Sequence, residues 1–264
     1  MDTLLLLLAA PIFLGLILKE QYQHPMRYQK GETFRNMLLA ASYQLSEWLV
    51  WFPALWVYQL LYQQRFFTLE AGPGTFLLLF VAQDFLYYWF HRCSHRCHWF
   101  WAAHVVHHSS AGFNYSTALR QSLFYPLVGM WLFWSPLALL GFKPGWIVTM
   151  VALNLAYQFF VHSPDPRSWG WLEKYFNTPS HHRVHHASHA PYLDQNFGGV
   201  LIIWDKLFGT FTPEQSPCRY GVVNMPPKED LVTVLTHEFG MLLADIKKPQ
   251  PLRLRLLRLF GRPY

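Results

Sequence analysis

The chain carries little charge. Asp, Glu, Lys and Arg together make up 14% of its 264 residues, against roughly 25% in soluble domains, which excludes a conventionally solvated surface over most of the molecule. Cysteine is also scarce. Cys93, Cys97 and Cys218 cannot build a disulfide framework, and Cys93 and Cys97 lie off the face shared by His91 and His95, where they read as packing residues. The sequence shows no Gly-rich dinucleotide fingerprint, no four-cysteine cluster and no c-type haem attachment motif. Any electrons the chain uses therefore come from outside it. Acid is scarcer than base, giving a net charge of +6. The apolar content excludes a nucleic-acid partner, and the basic residues are placed to meet anionic lipid headgroups instead.

What the chain does have is apolar and aromatic. It is 52% hydrophobic, with 12 Trp, 14 Tyr and 22 Phe, rings that favour membrane interfaces. The expected fold is an all-α integral membrane protein. Apolar runs at about 4–18, 37–62, 75–90, 122–141 and 145–161 approach the roughly 20 residues needed for a span, giving four to five membrane helices arranged as two hairpins under a cytoplasmic helical cap. The first run contains Pro11 and reads as an uncleaved anchor or a short span. Gly141-Phe142-Lys143-Pro144-Gly145 reads as the tight turn of the last hairpin. Three parts are expected: an anchor and basic loop over 1–35, a main domain over 36–225, and a basic interfacial tail over 226–264.

Lysine and arginine set the orientation. Lys19, Arg27, Lys30 and Arg35 precede the second run; Arg92, Arg96 and Arg120 follow the third; the chain beyond 162 is rich in both residues. The connections at 63–74 and 141–145 hold one basic residue each. The basic segments then share the cytoplasmic side. After Pro249-Gln250-Pro251, the stretch Leu252–Phe260 alternates Leu and Arg and reads as an amphipathic segment on the cytoplasmic leaflet.

Histidine supplies the chemistry. Eight histidines fall into three clusters: His91 and His95; His104, His107 and His108; His182, His185 and His186, with His181 just before them. Residues three and four apart share a helix face, so each cluster presents its imidazoles together. Eight ligands are too many for one tetrahedral zinc and suit two neighbouring ions with open positions; imidazole binds Fe, Zn, Cu and Ni alike. Asp84 stands two turns before His91 and is a candidate to accept a hydrogen bond from a ligand imidazole. Asn154, Gln158 and His162 form a stripe at four-residue intervals, which makes His162 a candidate ninth ligand. The clusters lie at the ends of the runs, which disfavours a metal transporter with ligands at the bilayer midplane. A bis-histidine haem site would need one ligand from each of two helices, not triples.

The motifs HRCSH, HVVHH and HHRVHH, in that order after membrane hairpins, resemble the fatty acid hydroxylase / sterol desaturase superfamily. The similarity extends through Asp84–Arg92, Asn114–Ser122, Asn177–His186 and Gly198–Phe211, and is closest in motifs to the alkylglycerol monooxygenase branch. The resemblance implies a membrane-bound non-haem di-iron oxygenase that hydroxylates, or desaturates, a lipid C–H bond with O2 and two external electrons. It implies two iron ions held by His91, His95, His104, His107, His108, His182, His185 and His186, with histidine also common at the positions of His162 and His181. A sterol or carotenoid-type desaturase is the nearest alternative. The electrons would come from tetrahydrobiopterin or an external electron-transfer protein, for which Arg92, Arg96, Arg167, Lys174 and Arg183 offer a basic docking face. Asp84, Asn154, Asp194 and Asn196 are the candidates to support the ligands. Turn formation before Gly198-Gly199 is an equal reading of Asp194 and Asn196.

Overall fold

The computed structural model describes residues 2–29, 31–222 and 230–263. Lys30 and the expected domain boundary at 225/226 lie outside the described residues. Every regular element described is helical; the only sheet-like pairing among them is an isolated antiparallel bridge between Phe176 and Leu201.

Three long helices open the chain: α1 (Asp2–Gln23), α2 (Glu32–Gln63) and α3 (Pro73–Arg96). Pro73 starts α3 at a position where its missing N–H costs nothing. Cys97 is extended and ends α3, its N–H donating to Cys93 O at 2.9 Å; the carbonyl of the same residue then accepts the Trp101 N–H at 2.8 Å and opens α4 (His98–His108). This one-residue corner folds the second histidine cluster back toward the first. Cys97 thus serves as a joint.

The apolar stretch 122–141 does not form the single span expected of it. It breaks into α5 (Phe124–Leu127), a 3-10 turn (Met130–Trp134) and α6 (Ser135–Leu139). Pro126 and Pro136 remove backbone donors, and Gly129 at φ +92° takes a left-handed conformation no continuous helix contains. The expected hairpin is therefore uneven, a short α6 joined to the full-length α7 (Pro144–Val161). Its turn rests on the α2–α3 connection, where Phe66 N–H donates to Leu139 O at 2.8 Å. The two poorly charged connections thus lie together.

Among the described residues, α7 is the one helix long and apolar enough to cross a membrane by length and composition. The main core joins α2, α3, α6 and α7 through Tyr58, Leu79, Phe90, Leu137 and Ile147. Beyond α7 come α8 (Pro179–His185), α9 (Ile203–Phe208), α10 (Leu231–Lys247) and α11 (Leu252–Phe260). The α10 helix covers α4: Val234 and Leu235 pack against Val106 and Leu39, and His98 Nε2 meets Glu238 Oε1 at 2.8 Å. His98 thus belongs to the packing of α10 on α4. The α11 helix ends against the α3–α4 corner, where His98 N–H donates to Gly261 O at 2.9 Å.

Candidate metal centre

The ends of α3, α4 and α7 and the whole of α8 converge on one buried point. Two groups of imidazoles meet there. His91, His95, His104, His108 and His185 form the first; His107, His162, His182 and His186 form the second; within each, every residue offers a nitrogen within 4.8 Å of the others. The groups adjoin, with the rings of His108 and His186 stacked at 4.4 Å. The sequence clusters do not map one to one onto the groups. Each of the two HxxHH boxes divides between them, because successive helical residues point about 100° apart.

The backbone fixes the tautomers. Nδ1 of His91 donates to Phe197 O at 2.9 Å, that of His107 to Arg120 O at 3.2 Å, that of His162 to Gln158 O at 2.7 Å and that of His185 to Gln195 O at 3.0 Å. A carbonyl only accepts, so Nδ1 carries the proton in each and Nε2 keeps its lone pair. His95 Nδ1 lies 3.5 Å from Asp194 Oδ1, and the Tyr125 hydroxyl lies 3.2 Å from His104 Nδ1.

That arrangement fits a pair of metal ions. The Nε2 atoms of His107 and His162 are 3.2 Å apart, though both present lone pairs. His162 and His182 approach to 3.0 Å, His182 and His186 to 3.1 Å, and His104 and His108 to 3.2 Å. Two nitrogens about 2.1 Å from a shared ion, at a right angle, lie about 3.0 Å apart. The Nε2 atoms of His91, His95 and His185 are buried with no hydrogen-bond partner, a costly condition that a metal relieves. Burial also pushes His104, His107, His108, His182, His185 and His186 well below the usual imidazole range, and His162 down to about 4, with neighbouring histidines adding to most of these shifts. These imidazoles are neutral at pH 7, the form that binds metal.

His181 does not join them. It stands at the edge of the α8 histidine face, where Nδ1 lies 3.2 Å from Phe176 O and the ring meets Phe211 edge-on. Asp84 touches no imidazole either. It accepts from the N–H groups of Val200 at 2.8 Å and Leu201 at 3.1 Å, from Trp204 Nε1 at 2.9 Å and from Asn154 Nδ2 at 3.1 Å. Together Asp84 and Asn154 pin the 200–204 turn to α3 and α7. Asn196, at φ +56°, serves turn formation, with Nδ2 donating to His181 O and Thr212 O. Asp194 combines both expected roles, at φ +58° and beside His95. In the proposed docking face, Arg183 is buried and held by Glu214 at 2.6 Å, so it belongs to the fold.

Two residues were not read from the sequence as supports of the histidines. Asp205 is fully buried and accepts the N–H groups of Phe197 and Gly198 at 2.7 Å each, so it positions the carbonyl that orients His91. Its burial raises its pKa to about 6. Arg120, also buried, donates to Val106 O, Ser109 Oγ and Asn36 Oδ1, and so fixes the carbonyl that orients His107. An acid inside the apolar stretch Val200–Phe208 was the available signal for Asp205; nothing local marked Arg120.

A cavity of about 420 Å³ opens from this centre. His91, His104, His107 and His162 form one end, and Trp51, Trp131, Trp134, Ile147 and Val148 line the remainder. The family model for fatty acid hydroxylase matches residues 76–210, just over half of the chain, including all nine histidines of the two groups. The chain belongs to the fatty acid hydroxylase family. It is similar to the alkylglycerol monooxygenase of Danio rerio, 47% identical over 150 residues covering 57% of this chain and 33% of that one. The Homo sapiens alkylglycerol monooxygenase is 47% identical over 153 residues, 58% of this chain and 34% of the relative. The ornithine lipid hydroxylase OlsE of Rhizobium tropici is 29% identical over 163 residues, 60% of this chain and 49% of the relative. The chain thus spans about a third of the length of the alkylglycerol monooxygenases it matches. No solved structure matches it. Within the fatty acid hydroxylase family, the two-group division of nine histidines is the feature of this chain that bears most directly on chemistry.

Proposed function

We propose that the chain is a membrane-embedded di-iron oxygenase that hydroxylates a C–H bond of a lipid lying in the cavity. The observation that carries this reading is the meeting of five and four neutral, buried imidazoles at the end of an apolar cavity. His91, His95, His104, His108 and His185 would hold one iron; His107, His162, His182 and His186 would hold the other. Two irons bound there would supply O2 activation and oxidation of an unactivated C–H bond. The chain's own residues do the rest. Phe197, Arg120, Gln158 and Gln195 aim the imidazoles through their carbonyls. Trp131, Trp134, Ile147 and Val148 exclude water and hold an apolar chain.

The membrane setting rests on surface chemistry. The α1–α3 helices expose Ile12, Leu18, Leu49, Phe52, Trp56 and Leu77 at 55–84%, an apolar display soluble proteins avoid. In this reading these helices and α7 are the four membrane segments and the metal end faces the cytoplasm, the side that the distribution of basic residues favours. On α11, Leu252, Leu257 and Phe260 are exposed beside arginines, which suits a helix lying on an anionic leaflet. Electrons come from tetrahydrobiopterin or a separate protein.

Lipid mass spectrometry of cells expressing this chain or its His107→Ala form, grown under ¹⁸O2, tests the reading. One labelled oxygen in a lipid, dependent on His107, is expected. Loss of two hydrogens instead would make the enzyme a desaturase. Label incorporation that persists in His107→Ala would remove the di-iron assignment.

A further inference from the structure

The cavity reaches the outer surface where α1 passes α2. Among the described lining residues, Ala10 of α1 and Ala41 of α2 alone are exposed. The α1 helix packs against α7, with Phe13 stacked on Phe159 at 4.0 Å, and among the described residues has little contact with α2. Two alanines carry nothing beyond Cβ with which to close the seam between them. Pro11, next to Ala10, lacks the N–H that would tie this turn of α1 to the one before it. The two helices are instead fastened at the metal end. Glu20 of α1 accepts the Tyr28 hydroxyl at 2.6 Å and the Tyr115 N–H at 3.0 Å. Glu32 of α2 accepts the Gln29 N–H at 3.2 Å and the Ser110 hydroxyl. Both carboxylates thus hold the 28–29 turn and the segment that follows His108, so they lie at about the same depth.

From that common level the two rim residues are equally far along their helices. Ala10 stands ten residues before Glu20, and Ala41 nine after Glu32, about 14–15 Å of helix rise in each case. In a hydrocarbon core roughly 30 Å thick, this is close to the middle, where alkyl tails lie and neither headgroups nor water do. The opening therefore faces alkyl chains. We propose that alkyl chains enter the cavity sideways from the bilayer core through the seam between α1 and α2, with Ala10 and Ala41 as its rim. This rests on the reading that the cavity holds a lipid and that α1 and α2 lie in the membrane. It goes beyond that reading by fixing the route: entry runs neither from the aqueous side near the histidines nor across the outer face of α7.

Time-resolved photolabelling of the full chain in phosphatidylcholine vesicles tests the route. A dodecane carrying a diazirine is added, the sample is flashed after increasing delays, and labelled residues are located by mass spectrometry. Val148 reports the cavity, and exposed Leu49 reports the surrounding lipid. Both should be labelled in the unaltered chain. Ala41→Trp fills the rim and should slow labelling of Val148 relative to Leu49 about ten-fold, the factor that about 1.4 kcal/mol of overpacking in the passage gives. Ala10→Trp fills the opposite side of the rim, should do the same, and serves if the first variant fails to fold. Leu153→Trp, on the exposed face of α7 away from the cavity, should change nothing. Bound iron should be the same in all three. Unchanged Val148 labelling in both rim variants, or slowing by Leu153→Trp alone, would overturn the route while leaving a lipid-filled cavity. No labelling of Val148 in the unaltered chain at any delay would remove both. Rim-dependent labelling in a chain that oxygenates no lipid would leave the route standing and remove the oxygenase reading.

Discussion

His181 and His182 are adjacent in the sequence and face different partners. Spacing could not divide them, because His181 stands four residues before His185 just as His182 stands four before His186. The fold divides them by tying His181 to Phe176 and Phe211 while His182 Nε2 faces His162 and His186. His181→Ala should retain both irons, and His182→Ala should lose metal from the four-histidine group; the iron-to-protein ratio of the two variants measures this. Asp205→Ala leaves the N–H groups of Phe197 and Gly198 without their carboxylate. It should cost about 2–4 kcal/mol of stability and weaken iron binding about 10–100-fold, seen in thermal unfolding and in iron retained against a chelator. The eight box histidines and His162 were legible because periodicity alone gathers them on helix faces. The Val200, Leu201 and Trp204 partners of Asp84 were not, since they lie more than a hundred residues away in sequence.

At the scale of elements, the apolar runs showed where helices could form but not whether they would be continuous. The α1, α2, α3 and α7 helices occupy the expected runs. The run 122–141 has the same composition but breaks at Pro126, Gly129 and Pro136, punctuation that outweighs hydropathy. The following turn is constrained by contact as well as by conformation. Gly141 sits at φ +105°, and a Cβ there would lie 2.1 Å from Phe67 O. Gly141→Ala should therefore destabilise the protein by more than about 2 kcal/mol, through loss of the contact between the α2–α3 and α6–α7 connections; the thermal midpoint of the detergent-solubilised protein is the measure. The corner at Cys97 was not visible beforehand, because nothing in Cys97 itself signals an extended residue between two helices.

For the whole molecule, the site is a set of bases stored neutral in the interior, and this couples stability to pH. His162 titrates near 4 in the folded chain against about 6.5 when unfolded. Its folded value is the lower, so the unfolded chain takes up the proton first. The metal-free protein should keep full stability above about pH 6.5 and lose it as the pH falls toward 4, with the more strongly depressed histidines extending the loss. Bound metal should oppose this until protons displace it. Chemical unfolding of metal-free and iron-loaded protein at stepped pH gives both curves. The central claim is that nine histidines form two unequal metal sites, and Mössbauer spectroscopy of ⁵⁷Fe-loaded protein tests it most directly. Two irons per chain, giving two quadrupole doublets of equal area, are predicted for the five- and four-histidine groups. A single iron, or metal bound equally well after His107 and His182 are both replaced by Ala, would contradict the account.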